Sequence, residues 1–285
     1  MELIRVLENE EFEDYVALLT RLLRYEFETP RDKPNPHIRY VNILNGETIH
    51  HADLTPNDIH PNEPEPPHLS DIIHCPKQSY FKKIMGVSHN MRTLSYFFDG
   101  KAMHMMLQYL FDRYLPGRFL MENRTNVDDK IVFTPDIIDK EKNTIIEFKT
   151  ARSPVINDAP RPDHIEQLKA YMAFTRIYNG VVLYHLITKE QENLFTAHRV
   201  QITPLEALEI REHWLKEAAS LQFAVKNNNK HLARNIADDY SKNWMCNGYC
   251  DYLQYCDEGK AAVERIIQKR VEAKELRLAA RKTKL

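Results

Sequence analysis

Residues 130–150 read KIVFTPDIIDKEKNTIIEFKT, and this stretch decides the fold. Two apolar segments, 130–138 and 143–150, are joined by charged residues typical of a turn between antiparallel strands. If Asp136 pairs with Glu147, the midpoint of the hairpin falls within this turn, which predicts that the two carboxylates are cross-strand neighbours. Side chains two positions apart share one face of a strand, so Glu147 and Lys149 point the same way while Phe148 points into the core.

Two carboxylates and a lysine are therefore predicted to converge on a strand that is otherwise apolar. Uncompensated charges in such a place are costly. A hard divalent cation, Mg²⁺ or Mn²⁺, would compensate them, because it takes oxygen ligands and lets Lys149 hold a water or a phosphate beside it. A cross-strand Glu-Lys salt bridge on a solvated sheet face is the alternative. These three residues alone leave both interpretations open.

The sequence on either side predicts further strands and helices. Strands are expected at 118–124, 180–188 and 193–202, and helices begin at Ser70 and cover 92–114, 163–178, 204–229 and 261–285. This order predicts an α/β domain in which helices flank a mixed sheet.

The N-terminal part differs in composition. Apolar residues spaced by three and four predict an amphipathic helix over 10–27. Eight of the fifteen prolines lie within 30–67, where a short hairpin is predicted to turn at Asn45-Gly46. We therefore expect an accessory segment at 1–68, the main domain at 69–258, and a basic helix or tail at 259–285.

Composition and charge exclude several classes of protein. Hydrophobic residues make up 43% of the 285 residues and charged ones 28%, which is typical of a globular domain. There is no long apolar run and no apolar stretch of the signal-peptide type after MELIRVLENE, so a cytoplasmic protein without a membrane partner is expected. With 39 basic and 41 acidic residues, a nucleic acid would have to be held by a local groove. Neither phosphate-binding glycine motif is present, which argues against an ATP-driven motor or a dinucleotide enzyme.

The four cysteines can all be assigned to one site. They are Cys75, Cys246, Cys250 and Cys256. In a reducing compartment clustered thiolates more often bind a metal than form disulfides. Four thiolates suit either tetrahedral Zn²⁺ or an iron-sulfur cluster, and the residues alone do not choose between them. Four unligated buried thiols are the remaining alternative.

Three motifs in the central part of the chain resemble one nuclease family. Asp136, followed after ten residues by Glu-Phe-Lys (147–149), resembles the PD-(D/E)XK nuclease signature. Residues 100–104, GKAMH, resemble the G-x-x-x-H motif of its RecB-type branch, and residues 167–171, QLKAY, resemble the Q-x-x-x-Y motif. Phe133 departs from the pattern, since the family usually has glycine there. The resemblance implies a restriction-endonuclease-like fold, although a core histidine and an ordinary helical Gln/Tyr pair remain the alternatives for the short motifs.

The cysteine pattern is similar to that of RecB-type nucleases with an iron-sulfur cluster, including the AddB-type subunit and the CRISPR-associated exonuclease. Cys75-Pro76 with Tyr80 fits their C-P-x-x-x-(Y/F) element, and three cysteines follow the nuclease motifs. Their trailing spacing is C-x3-C-x5-C, where the family usually has C-x2-C. The resemblance implies a [4Fe-4S] cluster, with Zn²⁺ as the second choice, that staples a helical lobe to the sheet.

The activity implied by the resemblance is a metal-dependent DNA exonuclease, expected to digest single strands or DNA ends from 5′ to 3′. The implied ligands of Mg²⁺ or Mn²⁺ are His104, Asp136, Glu147 and the main-chain carbonyl of Phe148. Lys149 would polarise the attacking water, while Gln167 and Tyr171, on one helix face, would steady the DNA backbone and the lysine.

Partners and alternatives follow from the same resemblance. Without a motor domain the enzyme would need free DNA ends, single strands or a partner such as a helicase, a recombinase or a CRISPR-adaptation protein. Recombination, repair, phage DNA metabolism and CRISPR adaptation are the expected settings. A catalytically weak DNA-binding or scaffold protein, and a zinc-stapled protein without a nucleic-acid role, are the other hypotheses. The basic residues of 261–285 could contact DNA or simply form the solvated face of a helix. Base stacking and packing around the cysteines are the two alternatives for Tyr249, Tyr252 and Tyr255.

Overall fold

The computed structural model describes residues 15–19, 22, 66–86, 91–151, 159–187, 194–239, 243–247 and 250–282. The chain divides into two units, Met1–Glu65 and Pro66–Leu285. In the first unit residues 15–19 are helical, and Tyr15, Leu18 and Leu19 are buried, in agreement with the helix predicted there. The rest of that predicted helix and the turn predicted at Asn45-Gly46 lie outside the described residues.

Six α-helices are described in the second unit. They are α1 (Leu69–His74), α2 (Pro76–Met85), α3 (Met91–Tyr114), α4 (Pro162–Thr175), α5 (Pro204–Lys226) and α6 (Asp257–Lys282). Short 3₁₀ turns at Lys230–Leu232, Asn243–Cys246 and Leu253–Tyr255 connect α5 to α6. Within the described parts of the chain, no helix combines the length and the apolar character needed to span a membrane.

A five-stranded mixed sheet forms the centre of this unit. The described strands of the unit, of which β2 and β3 lie outside this sheet, are β1 (Phe119–Met121), β2 (Thr125–Val127), β3 (Ile131–Phe133), β4 (Ile137–Asp139), β5 (Thr144–Ala151), β6 (Asn179–Leu186) and β7 (Phe195–Gln201). The order in the sheet is β1-β4-β5-β6-β7, with β5 and β6 parallel and the other neighbours antiparallel. The predicted α/β domain with a mixed sheet flanked by helices is confirmed.

The β4–β5 hairpin has the register that the sequence predicts. Ile137 lies opposite Ile146, and Asp139 lies opposite Thr144. The turn is held by Asp139, whose fully buried carboxylate accepts hydrogen bonds from the main-chain N–H groups of Glu141 and Lys142. The Arg118 guanidinium pairs with the same carboxylate at 2.6 Å. Because a one-residue slip would unpair this buried carboxylate, the turn fixes the alignment of the two strands.

The single strand predicted over 130–138 is wrong in one respect, because the structure divides it into two. β3 pairs with β2 in a separate two-stranded sheet, and β4 joins the main sheet. Pro135 lies at the break and has no N–H to donate to a strand ladder. Phe133, at the position where the family pattern has glycine, is fully buried and stacks on Tyr171 with ring centroids 5.8 Å apart. The break leaves Asp136 in a bend at the edge of the main sheet.

Helix α4 packs closely on β6 because residue 180 is glycine. A Cβ atom at Gly180 would lie 2.6 Å from the sulfur of Met172 and 2.9 Å from Cδ1 of Leu168. Both side chains are fully buried in the core. This close contact sets the position of α4 beside β5, and with it the side chains that α4 directs toward the strand.

Candidate active site

Strand β5 carries the two charged residues at the centre of the site. The Glu147 side chain is completely buried, and among its two carboxylate oxygens Oε2 has no hydrogen-bond partner. The other oxygen, Oε1, lies 2.5 Å from the Lys149 Nζ in an ion pair, and the lysine side chain is 23% exposed. Glu147 and Lys149 therefore share one face of the strand, and the lysine connects the buried carboxylate to solvent.

Asp136 reaches the same place from the bend before β4. Its Oδ2 accepts a hydrogen bond of 2.8 Å from the main-chain N–H of Phe148. This bond places the aspartate next to Glu147, one residue beyond the last ladder pair of the hairpin. The two carboxylates are close enough that the charge of Asp136 raises the pKa of Glu147.

Helix α3 contributes His104. Its Nδ1 lies 3.9 Å from Asp136 Oδ1, and its ring packs edge-on against the ring of Phe148 with centroids 5.1 Å apart. The main chain of Phe148 is also a hydrogen-bond partner of the imidazole. Burial, and then the charge of Lys149, lower the pKa of His104. The imidazole is therefore neutral at pH 7, which is the form that binds metals.

The carboxylates have unusual electrostatics. Burial raises the pKa of Glu147, and the neighbouring Asp136 raises it further, against the opposing effect of Lys149. Burial likewise raises the pKa of Asp136, although Lys149 and the Phe148 N–H act in the other direction. Burial alone would lower the pKa of Lys149, but the charges of Glu147 and Asp136 outweigh it, so the pKa is raised and the lysine stays an ammonium. One positive charge thus faces two carboxylates that resist ionisation together.

Gln167 and Tyr171 lie on one face of α4, as their spacing predicts. Gln167 Nε2 donates a hydrogen bond of 2.9 Å to the Tyr171 hydroxyl, and both side chains are buried. The charges of Glu147 and Asp136 add to the effect of burial in raising the pKa of Tyr171, which places the phenol near the carboxylates. The sequence suggested that this pair lies over the DNA backbone. In the structure both side chains are buried, and the Tyr171 phenol is near enough to the carboxylates for their charge to act on it.

Glu122 is a neighbour of the site that the sequence analysis did not single out. It follows β1, its main-chain N–H donates to the carbonyl of Asp136, and its Oε1 lies 3.9 Å from the His104 Nδ1. Its φ of 44° is uncommon for a residue with a side chain. The only signal in the sequence was its position at the end of a predicted strand, which gives no hint of the long-range contact.

A second group that the sequence did not indicate lies at the start of α4. Asp163 is buried and pairs with Arg161 at 2.6 Å, and its charge reaches Lys149. His164 Nδ1 lies 2.9 Å from the hydroxyl of Tyr184, the residue opposite Lys149 in the parallel ladder. Burial lowers the pKa of His164, which is therefore neutral. These side chains extend the polar cluster beyond the lysine.

The residues at the centre of the site fit a divalent cation. Among the residues that the structure describes, no three His, Cys, Asp or Glu side chains are already arranged as a metal-binding group. Glu147 nevertheless keeps one buried oxygen, Oε2, without a hydrogen bond, beside a second carboxylate and a neutral imidazole. Two carboxylates and one imidazole are a donor set for Mg²⁺ or Mn²⁺, and a cation would remove the cost of burying both negative charges.

The four cysteines come together far from this strand. Cys75, Cys246, Cys250 and Cys256 are free thiols, and all four line one small cavity together with apolar side chains. Burial, together with charge on the neighbouring thiols, raises the pKa of Cys246 to about 11 and that of Cys250 to about 12. Four sulfur donors around one cavity fit Zn²⁺ or an iron-sulfur cluster, and a bound metal would stabilise the thiolates that burial disfavours.

A comparison with known protein families finds no match, and no curated protein matches the chain. Several solved structures are similar to it, including the following three. The protein SSO0001 has 20% sequence identity and a TM-score of 0.47, over 69% of this chain and 88% of that one. An alkaline exonuclease (LHK-Exo) from Laribacter hongkongensis has 12% identity and a TM-score of 0.43, over 56% and 89%. A phage-related exonuclease from Haemophilus somnus 129PT has 9% identity and a TM-score of 0.42, over 57% and 96%. Because these likenesses are weak, the function proposed for this chain rests on the geometry of its own residues.

Proposed function

We propose that this chain is a metal-dependent DNA exonuclease of the RecB-type PD-(D/E)XK family. The observation that carries the proposal is Glu147, a fully buried carboxylate whose Oε2 has no hydrogen bond, placed beside Asp136 and Lys149. A structural salt bridge would not leave a buried oxygen without a partner. The cross-strand salt bridge on a solvated face is not supported either, because Glu147 is not on a solvated face.

The cation would be held by His104, Asp136, Glu147 and the main-chain carbonyl of Phe148. A bound Mg²⁺ or Mn²⁺ would stabilise the negative charge that develops on the scissile phosphate. The hydrogen bond from the Phe148 N–H holds Asp136 in place, and the neutral ring of His104 presents a nitrogen without adding charge. The chain thus supplies a set of metal ligands whose negative charges are unfavourable to bury unless a cation is bound.

Lys149 is the residue we assign to the attacking water. Its ammonium lies next to Glu147 and is partly open to solvent, so it can orient a water or a phosphate oxygen at the entrance of the site. The bond between Gln167 and Tyr171 supports the carboxylates from the core side. The products of this hydrolysis would be a 5′-phosphate and a 3′-hydroxyl.

The substrate, the polarity, the cellular setting and the cluster are proposed from the resemblance of the motifs and their order to the RecB-type family. We propose single-stranded DNA or DNA ends as the substrate, with 5′-to-3′ polarity, in the cytoplasm. Recombination, repair, phage DNA metabolism and CRISPR adaptation are the settings, with a helicase, a recombinase or an adaptation protein as partner. At the cysteines we propose a [4Fe-4S] cluster, with Zn²⁺ as the less favoured occupant.

Cleavage of labelled oligonucleotides tests the activity. Single strands labelled at the 5′ or the 3′ end are incubated with Mn²⁺ and sampled over time, which reports activity and polarity together. Glu147→Gln and Lys149→Met should each reduce the rate at least about 100-fold, the effect of removing a group that stabilises charge in a transition state.

Matched controls lie on the same hairpin. Glu141 is 66% exposed and Lys140 is exposed, so Glu141→Gln and Lys140→Met make the same charge changes away from the site and should keep the wild-type rate. Thermal unfolding verifies that all four variants fold. Equal cleavage by wild type and Glu147→Gln would overturn the proposal. Binding of DNA without cleavage by the wild type would favour the DNA-binding or scaffold role instead.

A further inference from the structure

A buried lysine lies beside the four cysteines. Lys77 is only 2% exposed and lines the same cavity as the thiols. Its Nζ pairs with Glu258 Oε1 at 2.5 Å, an ion pair between residues 181 positions apart. A buried ammonium is costly unless negative charge offsets it, and Glu258 is itself 37% exposed. Neither the proposed hydrolysis nor the metal ligands account for this lysine.

The positive ends of two helices also meet at the cysteines. Cys75 immediately precedes α2 and Cys256 immediately precedes α6, so each occupies the N-cap position. The Gly259 N–H donates a hydrogen bond of 3.4 Å to the Cys256 Sγ. Main-chain N–H groups of Lys77 and Gln78 act on Cys75 in the same way. Helix N-termini favour negative charge, so both helix ends favour thiolates.

Lys77 and Glu258 hold equivalent places in these two helices. Each is the second residue of its helix, two positions after the N-cap cysteine. A Cβ atom at Gly259 would lie 3.3 Å from the Cys256 sulfur and 3.1 Å from Leu253 Cδ1, so the helix end packs tightly on the thiol. The ion pair therefore joins two helix ends at the point where the thiols converge. The charge of Lys77 favours the thiolate of Cys256, and the charge of Glu258 disfavours it.

We propose that Lys77 is the charge-compensating residue of a metal–thiolate centre held by the four cysteines, and that Glu258 opposes it. Four thiolates carry more negative charge than a zinc ion or an iron-sulfur core neutralises, so the centre is anionic. Nearby charge changes its reduction potential and its hold on the metal. This inference rests on the metal centre of the proposed function and is independent of the nuclease activity.

Redox titration of the visible absorbance of the purified full chain tests the inference. Reduction adds negative charge, so Lys77→Met should lower the equilibrium constant for reduction about tenfold, a shift of about 59 mV to more negative potential for one electron. Lys77→Arg keeps the charge and should titrate like the wild type. Glu258→Gln should shift the potential the other way, because it leaves the lysine without a counter-charge.

A surface ion pair next to Glu258 provides the matched control. Lys230 pairs with Asp257 at 3.5 Å, and the side chains are 35% and 75% exposed. Lys230→Met removes the same charge in solvent and should leave the potential unchanged. A loss of packing would move Lys77→Met and Glu258→Gln in the same direction, whereas a charge effect moves them in opposite directions.

The other possible results distinguish the role of Lys77, the type of metal at the cysteines and the nuclease activity from one another. Parallel shifts in the two variants, or a Lys77→Arg protein that behaves like Lys77→Met, would overturn the role of Lys77. If the wild type contains zinc, the iron-sulfur part of the proposed function fails. The rate of zinc transfer to a chelator is then measured, and it should rise in Lys77→Met and fall in Glu258→Gln. A wild type that contains no metal overturns the inference, whereas absent cleavage with an intact metal centre overturns only the nuclease.

Discussion

Glu147 is the residue on which the chemistry of the site depends. Its carboxylate is fully buried on the central strand, where Oε1 pairs with the Lys149 ammonium and Oε2 has no hydrogen-bond donor. Native proteins rarely leave a buried carboxylate in this state. The unfavourable free energy of burying this carboxylate destabilises the folded chain, and a cation bound beside it would offset that free energy. Stability and cation binding are therefore expected to be coupled through this one residue.

The first prediction concerns the pH dependence of stability in cation-free buffer. Burial raises the pKa of Glu147 from 4.5 to about 7, and that of Asp136 from 3.8 to about 6. The folded chain thus holds protons that the unfolded chain has released across this window. The contribution of these two carboxyl groups to the free energy of unfolding should therefore fall as the pH rises from 4.5 to 7, and the wild type should lose at least about 1 kcal/mol relative to Glu147→Gln, since one pKa unit corresponds to about 1.4 kcal/mol.

Urea unfolding of the wild type and of Glu147→Gln checks this prediction. The variant has no carboxyl group to ionise at this position, so the decrease in the free energy of unfolding caused by Glu147 should be missing from its pH dependence. Mn²⁺ added above pH 7 should stabilise the wild type and leave the variant nearly unaffected. The same pH dependence of stability in the wild type and in Glu147→Gln, or a variant stabilised equally by Mn²⁺, would contradict the prediction.

At the scale of elements, the β4–β5 hairpin brings the two carboxylates of the candidate site together. The pattern of apolar residues and the charged turn predicted its register, and the structure has that register. The division of the preceding strand was not predicted, although Pro135 was visible in the sequence. A proline can lie at the edge of a strand or interrupt it, and only the pairing of β3 with β2 shows which of these occurs.

Helix α3 provides a prediction about Gly100. A Cβ atom there would have no neighbour within 4 Å, although the residue lies inside a helix. Glycine in a helix interior is less favourable than alanine by about 1 kcal/mol, so Gly100→Ala should raise the free energy of unfolding by up to this amount. Gly100 lies one turn before His104 and on the same face. The added methyl group should therefore raise the KM for DNA while it stabilises the fold.

Ala102→Gly is the control for this prediction. Ala102 is exposed in the same helix, so its replacement should lower the stability by a similar amount and leave the KM unchanged. Urea unfolding and steady-state cleavage measure the two effects separately. A Gly100→Ala protein with lower stability would contradict the open space seen beside this residue. An unchanged KM would show that DNA does not approach this face of α3.

At the scale of the whole molecule, the candidate site and the cysteines belong to the unit Pro66–Leu285. The main cluster of buried hydrophobic residues also lies within this unit, from Leu69 to Tyr252. The cysteines connect the residue before α2 with the residue before α6, and thus the beginning of the unit with its last helix. A metal bound there would close a long loop of the chain, which stabilises the folded state.

The prediction at this scale is that residues 66–285 fold and act on their own. This shorter chain retains the buried core, the residues of the site and all four cysteines. Its circular dichroism should show a cooperative thermal transition, and it should cleave single-stranded DNA with Mn²⁺ at a rate comparable to the full chain. A folded but inactive chain would show that residues 1–65 take part in catalysis or in DNA binding.

The sequence by itself determined the main helices, the strands of the central sheet, the hairpin register and the motif residues His104, Asp136, Glu147 and Lys149, but not the separate pair of β2 and β3. These follow from local rules: the period of apolar residues, the chemistry of turns and the spacing of polar side chains. The tertiary structure decided the burial of Gln167 and Tyr171, the approach of Glu122 to the site, and the pairing of Lys77 with Glu258. Each of these contacts joins residues far apart in the chain, where no local pattern constrains the distance, so only the packing of helices on the sheet brings them together.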